Sequence, residues 1–285
     1  MDSDPEDAIT TEEMTGTAPA PGTSSAGRSS GVKRNAFDML MGATPDKPIK
    51  TVSKGGARGA FLWKDGLGAY TSHQDPASFW PDVVLYANQD FVAIHDKYPK
   101  STVHTLLLPR SPLSRKHPFD AFEDADFLAA VKTATAELKR RVAAELRRLY
   151  GSNSAQEKLR ESVLNGEVDW DPDKPLPEGR DWEKEVLVGV HAKPSMNDLH
   201  VHVLSRDMVG KRMLKNKHYL SFNTPFLVDI ADFPLAKDDP RRDSAHRRAW
   251  LHGDLRCWRC GKNFANKLSA LKAHLEVEFE EWKKE

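Results

Sequence analysis

The stretch DLHVHVLS, residues 198–205, constrains the fold more than any other part of the chain. Its alternation has the period of an extended strand, in which successive side chains point to opposite faces. Read as a strand, it puts Leu199, Val201 and Val203 on one face and Asp198, His200 and His202 on the other. Same-face neighbours lie about 7 Å apart by the strand rise, so two imidazoles can line one phosphate-sized site. A lone histidine here would read as a hydrogen-bonded core residue. Two in alternation, behind HAKPSM, read as a site. Imidazole suits phosphoryl chemistry because near neutral pH it is largely unprotonated and nucleophilic. Attack on phosphorus gives a phosphoramidate that water then cleaves, and a neighbouring histidine can orient the nucleophile or donate to phosphate oxygens.

Around this strand the sequence reads as an α+β domain with a mostly antiparallel sheet and one long helix. DVVLYA and FVAIHD are apolar runs joined by NQD, the pattern of a hairpin, and VHTLLLP is a third strand ended by Pro109. From Phe122 to Tyr150 the period changes: Phe127, Val131, Leu138, Val142, Leu146 and Leu149 form one helical stripe. Glu123, Asp124 and Asp126 near its start, and Arg147 and Arg148 near its end, match the helix dipole. Residues 151–184 are polar and read as a link with one short helix at 155–164. EVLVGVHA is a further strand.

The chain of 285 residues divides in this reading into three parts: 1–55, 56–235 and 236–285. The first is expected to be disordered, because TAPAPGTSSAGRSSG has too little apolar surface to offset ordering entropy. Within it, residues 34–42 carry Phe37, Leu40 and Met41 at helical spacing behind Asn35, which reads either as a docking peptide for a repair-protein partner or as a fortuitous apolar cluster. Acidic and basic residues balance at 42 each, so any nucleic-acid binding must come from local patches. No apolar run is long enough for a membrane span, and the acidic start lacks a secretory core segment. An intracellular monomer without membrane contact is expected.

The two cysteines, Cys257 and Cys260, stand C-x-x-C, and His274 follows after thirteen residues. Glu278 lies one helical turn beyond His274 on the same face. Zinc accepts sulfur, nitrogen and carboxylate oxygen, so Cys257, Cys260, His274 and Glu278 are the expected zinc ligands, with His252 and Glu276 as competing fourth donors. With four protein ligands the zinc is structural, and a module this small needs it to fold. Basic residues cluster here and nearby: Lys211, Arg212, Lys215 and Lys217 after the histidine strand, and Arg256, Lys262 and Lys267 in the finger. Each cluster alone reads as a solvated face. Together, flanking a nucleotide site, they read as a track for a phosphate backbone.

The histidine strand, with GVHAKPSM before it and AIHDKYPKSTVHTLLLPR upstream, resembles the histidine-triad family of nucleotide hydrolases and transferases. The resemblance implies a histidine-triad fold. It implies that His200 is the nucleophile, that His202 assists it, and that His104 supports them from the facing strand. Ser195 would contact the α-phosphate, Asp96 the ribose hydroxyls, and Ile94 and His95 would flank the base. DKYPKS and LKNKHYLSFNTPF narrow the similarity to the DNA-repair branch of that family, over about residues 60–235 and on into the C-terminal module. That branch implies Lys100 and His191 near the phosphates. The N-terminal part is too short and polar for the phosphopeptide-binding domain of vertebrate members.

What the resemblance implies is a nuclear hydrolase that removes AMP from 5′-adenylated DNA ends, leaving AMP as product. A general triad enzyme acting on small nucleotides and a noncatalytic DNA-end scaffold are the alternatives. Asp198 departs from the family pattern, which has histidine there. It reads either as an acid that fixes a histidine tautomer or as a polar residue at a surface edge.

Overall fold

The computed structural model describes residues 64–285. The expectations for residues 1–55, including the docking peptide at 34–42, lie outside the described residues, as does the start of the second part at 56. The elements run α1 (Gly68–Ser72), α2 (Pro76–Phe79), β1 (Val84–Ala87), β2 (Phe91–His95), β3 (His104–Pro109), α3 (Pro118–Ala121) and α4 (Ala125–Tyr150). They continue with α5 (Lys158–Leu164), β4 (Val186–His191), β5 (Val201–Ser205), α6 (Asn216–Asn223), β6 (Leu227–Val228), α7 (Ser244–Leu251) and α8 (Leu268–Lys284). No helix among the described residues is long and apolar enough to cross a membrane.

The strands form one antiparallel sheet in the order β1-β2-β3-β5-β4-β6. At the β1–β2 turn, Asn88 accepts from the Asp90 and Phe91 N–H groups at 2.9 and 2.7 Å and so fixes the reversal. Long helix α4 starts at Asp124, whose carboxylate accepts the Phe127 N–H at 2.9 Å, and buries its predicted stripe against β3, β4 and β5.

The period of 2 sorts the sheet's side chains into two cores. Phe91, Ala93, Leu107, Val201 and Val203 join α4 in the larger one. Val92, Ile94, Leu106 and Leu108 face the other way, under Leu67, Tyr70 and Trp80 of the N-terminal segment. His202 pairs with Leu106 in register, so the histidines share this second face.

The histidine strand is shorter than the sequence suggests. Regular pairing begins at Val201, because the Asn197 and Leu199 N–H groups bond instead to Lys64 and Ser114 carbonyls, at 2.8 and 2.7 Å. Asp198 and His200 therefore belong to the loop entering the strand.

The C-terminal part is not a separate bead. Leu251, Leu255, Cys257, Leu271, Leu275 and Trp282 belong to the same apolar cluster as α4 and the sheet. Full burial of large apolar side chains such as these contributes roughly 2–3 kcal/mol each. The insertion at 151–184 braces this junction rather than merely linking elements. Its Glu157 is fully buried, and Oε1 accepts from Arg147 Nε, Trp182 Nε1 and the Arg180 N–H at 2.8, 2.7 and 3.1 Å. Arg180 lies between the Trp182 and Trp282 rings, 4.5 and 4.8 Å from their centroids, and donates to the Trp282 carbonyl at 2.5 Å. Gly179 makes room for this: a Cβ there would stand 2.1 Å from Glu157 Oε2.

Candidate active site

Four histidines meet on the second face of the sheet. His104 comes from β3, His191 from the end of β4, His202 from β5 and His200 from the loop before it. All four are buried. The ring centroids of His200 and His202 are 5.0 Å apart, those of His191 and His202 4.5 Å, and those of His104 and His202 5.3 Å.

Hydrogen bonds settle which nitrogen carries the proton in His104, His202 and His200. The Lys100 N–H donates to His104 Nδ1 at 3.1 Å, so the His104 proton sits on Nε2. That nitrogen lies 3.0 Å from His202 Nδ1 and 3.3 Å from Asp96 Oδ2, both acceptors. His202 Nδ1 therefore carries a lone pair and its Nε2 a proton. His202 Nε2 is buried with no protein partner, which leaves it as a donor for a substrate oxygen. At His200 the order is reversed. Nδ1 donates to the Asp198 carbonyl at 2.8 Å, leaving a lone pair on Nε2.

Burial holds these imidazoles neutral. It is the largest cause of a depressed pKa at all four, taking His104 to about 4 against the pull of Asp96. His200 is lowered, and its Asp198 hydrogen bond partly opposes the shift. His191 and His202 lie well below the ordinary value, chiefly through burial, with the Lys100 charge adding to it. A neutral imidazole with a free lone pair is the nucleophilic form.

The other predicted residues fall in different places. Ser195 is buried in the loop leading to His200. Lys100 is buried, with Nζ 2.8 Å from the Tyr98 carbonyl, in a loop covered by Gly210. A Cβ at Gly210 would stand 2.3 Å from the Lys100 carbonyl carbon. Asp96 Oδ1 accepts the Tyr98 N–H at 2.7 Å, and its other oxygen faces His104. Ile94 is on the histidine face, packed in the second core. His95 is a correction. As the next residue of the same strand it points to the opposite face, exposed and near Glu145 of α4, so the two cannot flank one base.

Asp198 matches neither of its two readings. It is 4 % exposed, so it is no surface-edge residue, and the group that accepts from His200 is its carbonyl. Its carboxylate Oδ1 accepts from Arg115 at 2.9 Å. The sequence offers no spacing that connects Arg115 to this site. Phe222 was also not foreseen: it packs against His104, His191 and His202 at 5.3, 4.8 and 5.1 Å between centroids. The only signal for it was its place in LKNKHYLSFNTPF.

The predicted zinc ligands come together. One donor atom from each of Cys257, Cys260, His274 and Glu278 lies within 4.8 Å of the others. His274 Nε2 is 3.1 Å from both Cys260 Sγ and Glu278 Oε1. His252 bonds to the Arg248 carbonyl and Glu276 is exposed, so neither joins the group. Two thiols, an imidazole and a carboxylate fit zinc, and four protein donors leave no open position. Arg259 pairs with Glu278 Oε2, which turns the carboxylate's other oxygen inward.

The basic residues gather where α6 meets the finger. Tyr219 OH donates to the Arg256 carbonyl and accepts the Trp258 N–H, at 2.7 and 2.9 Å, and Asn216 Nδ2 donates to the Asn266 carbonyl at 3.1 Å. Lys211, Lys215, Arg256, Lys262 and Lys267 are exposed, and Arg212 and Lys217 half-buried. The Arg212 guanidinium lies 5.6 Å from the Tyr98 ring centroid, which joins this basic segment to the Lys100 loop.

Comparison with known proteins agrees with both parts. A family model for the HIT domain matches residues 79–209, and one for a C2HE / C2H2 / C2HC zinc-binding finger matches residues 223–281. The chain is 36% identical over 225 residues to an aprataxin-like protein of Saccharomyces cerevisiae, covering 76% of this chain and 96% of that one. It is 30% identical over 251 residues to an aprataxin-like protein of Schizosaccharomyces pombe, covering 87% and 94%. Among solved structures it resembles the aprataxin ortholog Hnt3 in complex with DNA, with a TM-score of 0.58 and 27% identity over 77% of this chain and 96% of that one. Hnt3 from Schizosaccharomyces pombe matches with a TM-score of 0.57 and 28% identity, over 76% and 92%.

Proposed function

We propose, for a chain that belongs to the aprataxin-like proteins of the histidine-triad (HIT) family, the removal of AMP from 5′-adenylated DNA ends. It is a HIT-type hydrolase of DNA repair. The finer reading of substrate and steps rests on one observation above all: His200 is neutral, with Nδ1 committed to the Asp198 carbonyl and a lone pair on Nε2.

His200 Nε2 attacks the adenylate phosphorus, and a P–N bond forms as the P–O bond to the DNA 5′-phosphate breaks. Lys100, His191 and the Nε2 proton of His202 would offset charge on the phosphate oxygens. Water then attacks phosphorus and gives up its proton to the solvent. The P–N electron pair returns to Nε2, and AMP leaves. Zinc held by Cys257, Cys260, His274 and Glu278 would supply structure only, since its four donors would all be protein. The lysines and arginines from Lys211 to Lys267 hold the DNA backbone without reading bases. A DNA-end substrate would place the protein's action in the nucleus.

The test is turnover of 5′-adenylated nicked DNA, with a small adenylate as the comparison. His200→Ala should abolish AMP release while leaving DNA affinity in place, and rapid quenching of the wild-type protein should trap adenylyl-His200. Full turnover by the variant would sink the mechanism. Equal turnover of the small adenylate, with or without residues 236–285, would point to the general nucleotide hydrolase instead.

A further inference from the structure

Asp198 stands where the family pattern has a histidine, and its two polar groups do different jobs. The carbonyl accepts the His200 Nδ1 proton, and the carboxylate accepts from Arg115 at 2.9 Å. The same guanidinium donates to Asp65 at 2.6 Å. Asp65 also accepts from Asn197 Nδ2 at 3.0 Å, and the Asn197 N–H reaches the Lys64 carbonyl at 2.8 Å. One half-exposed arginine thus bridges a buried carboxylate on the nucleophile's loop and the segment entering α1. A carboxylate buried this deeply is unfavourable without an opposite charge, so Arg115 decides whether residue 198 keeps its place. Helix α1 closes directly over the pair: a Cβ at Gly68 would lie 3.3 Å from Asp198 Oδ2.

We propose that Asp198 and Arg115 are positioning residues for His200. Their ion pair pins residue 198, so that its carbonyl keeps the Nδ1 proton and Nε2 faces the phosphorus. Through Asp65, this orientation depends on residues 64–72 being closed over the site. The inference rests on His200 being the nucleophile. Neither residue touches the reacting atoms. Both act through the His200 ring, and misplacing a nucleophile by about 1 Å can cost about a hundredfold in rate.

The experiment uses the full chain loaded with zinc. Nitrogen NMR of the His200 ring reports its tautomer, and kcat and KM are measured on 5′-adenylated nicked DNA. Wild-type protein should show one tautomer, protonated at Nδ1. Arg115→Ala should show a mixture, with kcat lowered about tenfold or more and KM within about twofold. Arg115→Lys, a point charge that cannot fork between two carboxylates, should recover only part of kcat. If Arg115→Ala fails to fold, judged by circular dichroism and zinc content, Asp65→Asn decides. It keeps the buried pair but frees the bridge, and should lower kcat by a few-fold with some loss of the single tautomer. Wild-type kcat with a single tautomer in the folded variants would overturn the proposal. If the wild-type protein does not hydrolyse adenylated DNA, the proposed function fails, while the tautomer measurement still decides this inference.

Discussion

His104 Nε2 lies 3.0 Å from His202 Nδ1, and the proton between them belongs to His104 because the Lys100 N–H already occupies its Nδ1. A backbone amide in the Lys100 loop therefore sets, across two rings, which nitrogen of His202 carries the proton.

Breaking that relay should be graded by what replaces the ring. His104→Ala removes both the acceptor for Lys100 N–H and the donor to His202, and kcat should fall roughly a hundredfold. His104→Gln keeps a donor near the Nε2 position, so its loss should be nearer tenfold. Steady-state kcat on adenylated DNA checks the order. Equal losses in the two variants would show that His202 does not depend on this proton.

The neutral histidines make stability pH-dependent. In the unfolded chain each takes up a proton near pH 6.5. In the folded chain His104 does so only near pH 4, and His218, also buried, near pH 3. Below pH 6.5 the unfolded state thus binds more protons, and stability is lost as pH falls from about 6.5 towards 4. His104 alone accounts for about 3 kcal/mol at the bottom of that window. The midpoint of thermal unfolding, followed from pH 7 to pH 4, should drop steadily. A flat profile would mean that the folded-state imidazoles protonate at ordinary values.

Zinc affinity should report on Glu278 and on what holds it. Glu278→Ala removes one of four donors. Arg259→Ala leaves all four but releases the carboxylate that Arg259 pairs with. Loss of such an outer partner typically weakens binding about 10–100-fold. Competition with a chromogenic chelator should rank wild type above Arg259→Ala and Arg259→Ala above Glu278→Ala. If Glu278→Ala bound zinc as tightly as wild type, the fourth donor would lie elsewhere.

Local signals in the sequence located most of this. The stripe from Phe127 to Leu146 between Asp124 and Arg147 names helix α4, because period and dipole agree. Cys257, Cys260, His274 and Glu278 are legible because metal geometry demands fixed spacing along the chain. The alternation of His200 and His202 gave the site, although it extended the strand back to Asp198, where backbone bonds to Ser114 and Lys64 take over. Placing Ile94 and His95 on one base overlooked that adjacent strand residues face apart. What could not be read is what folding brings from a distance: Arg115 between Asp65 and Asp198, Phe222 beneath three rings, and Arg180 between two tryptophans. Those pairings depend on tertiary approach, and no periodicity encodes them.

Trp282 gives the finger a second meaning. Its ring is 1 % exposed, its indole N–H donates to Glu185 at 2.6 Å, and its carbonyl holds Arg180, which leads through Glu157 to Arg147 on α4. The finger helix thus packs into the core that α4 shares with the sheet, on the face away from the histidines. Zinc held by Cys257, Cys260, His274 and Glu278 would then share its binding free energy with the fold of the whole hydrolase, and by mass action free zinc would act as a ligand for catalytic competence without meeting the substrate.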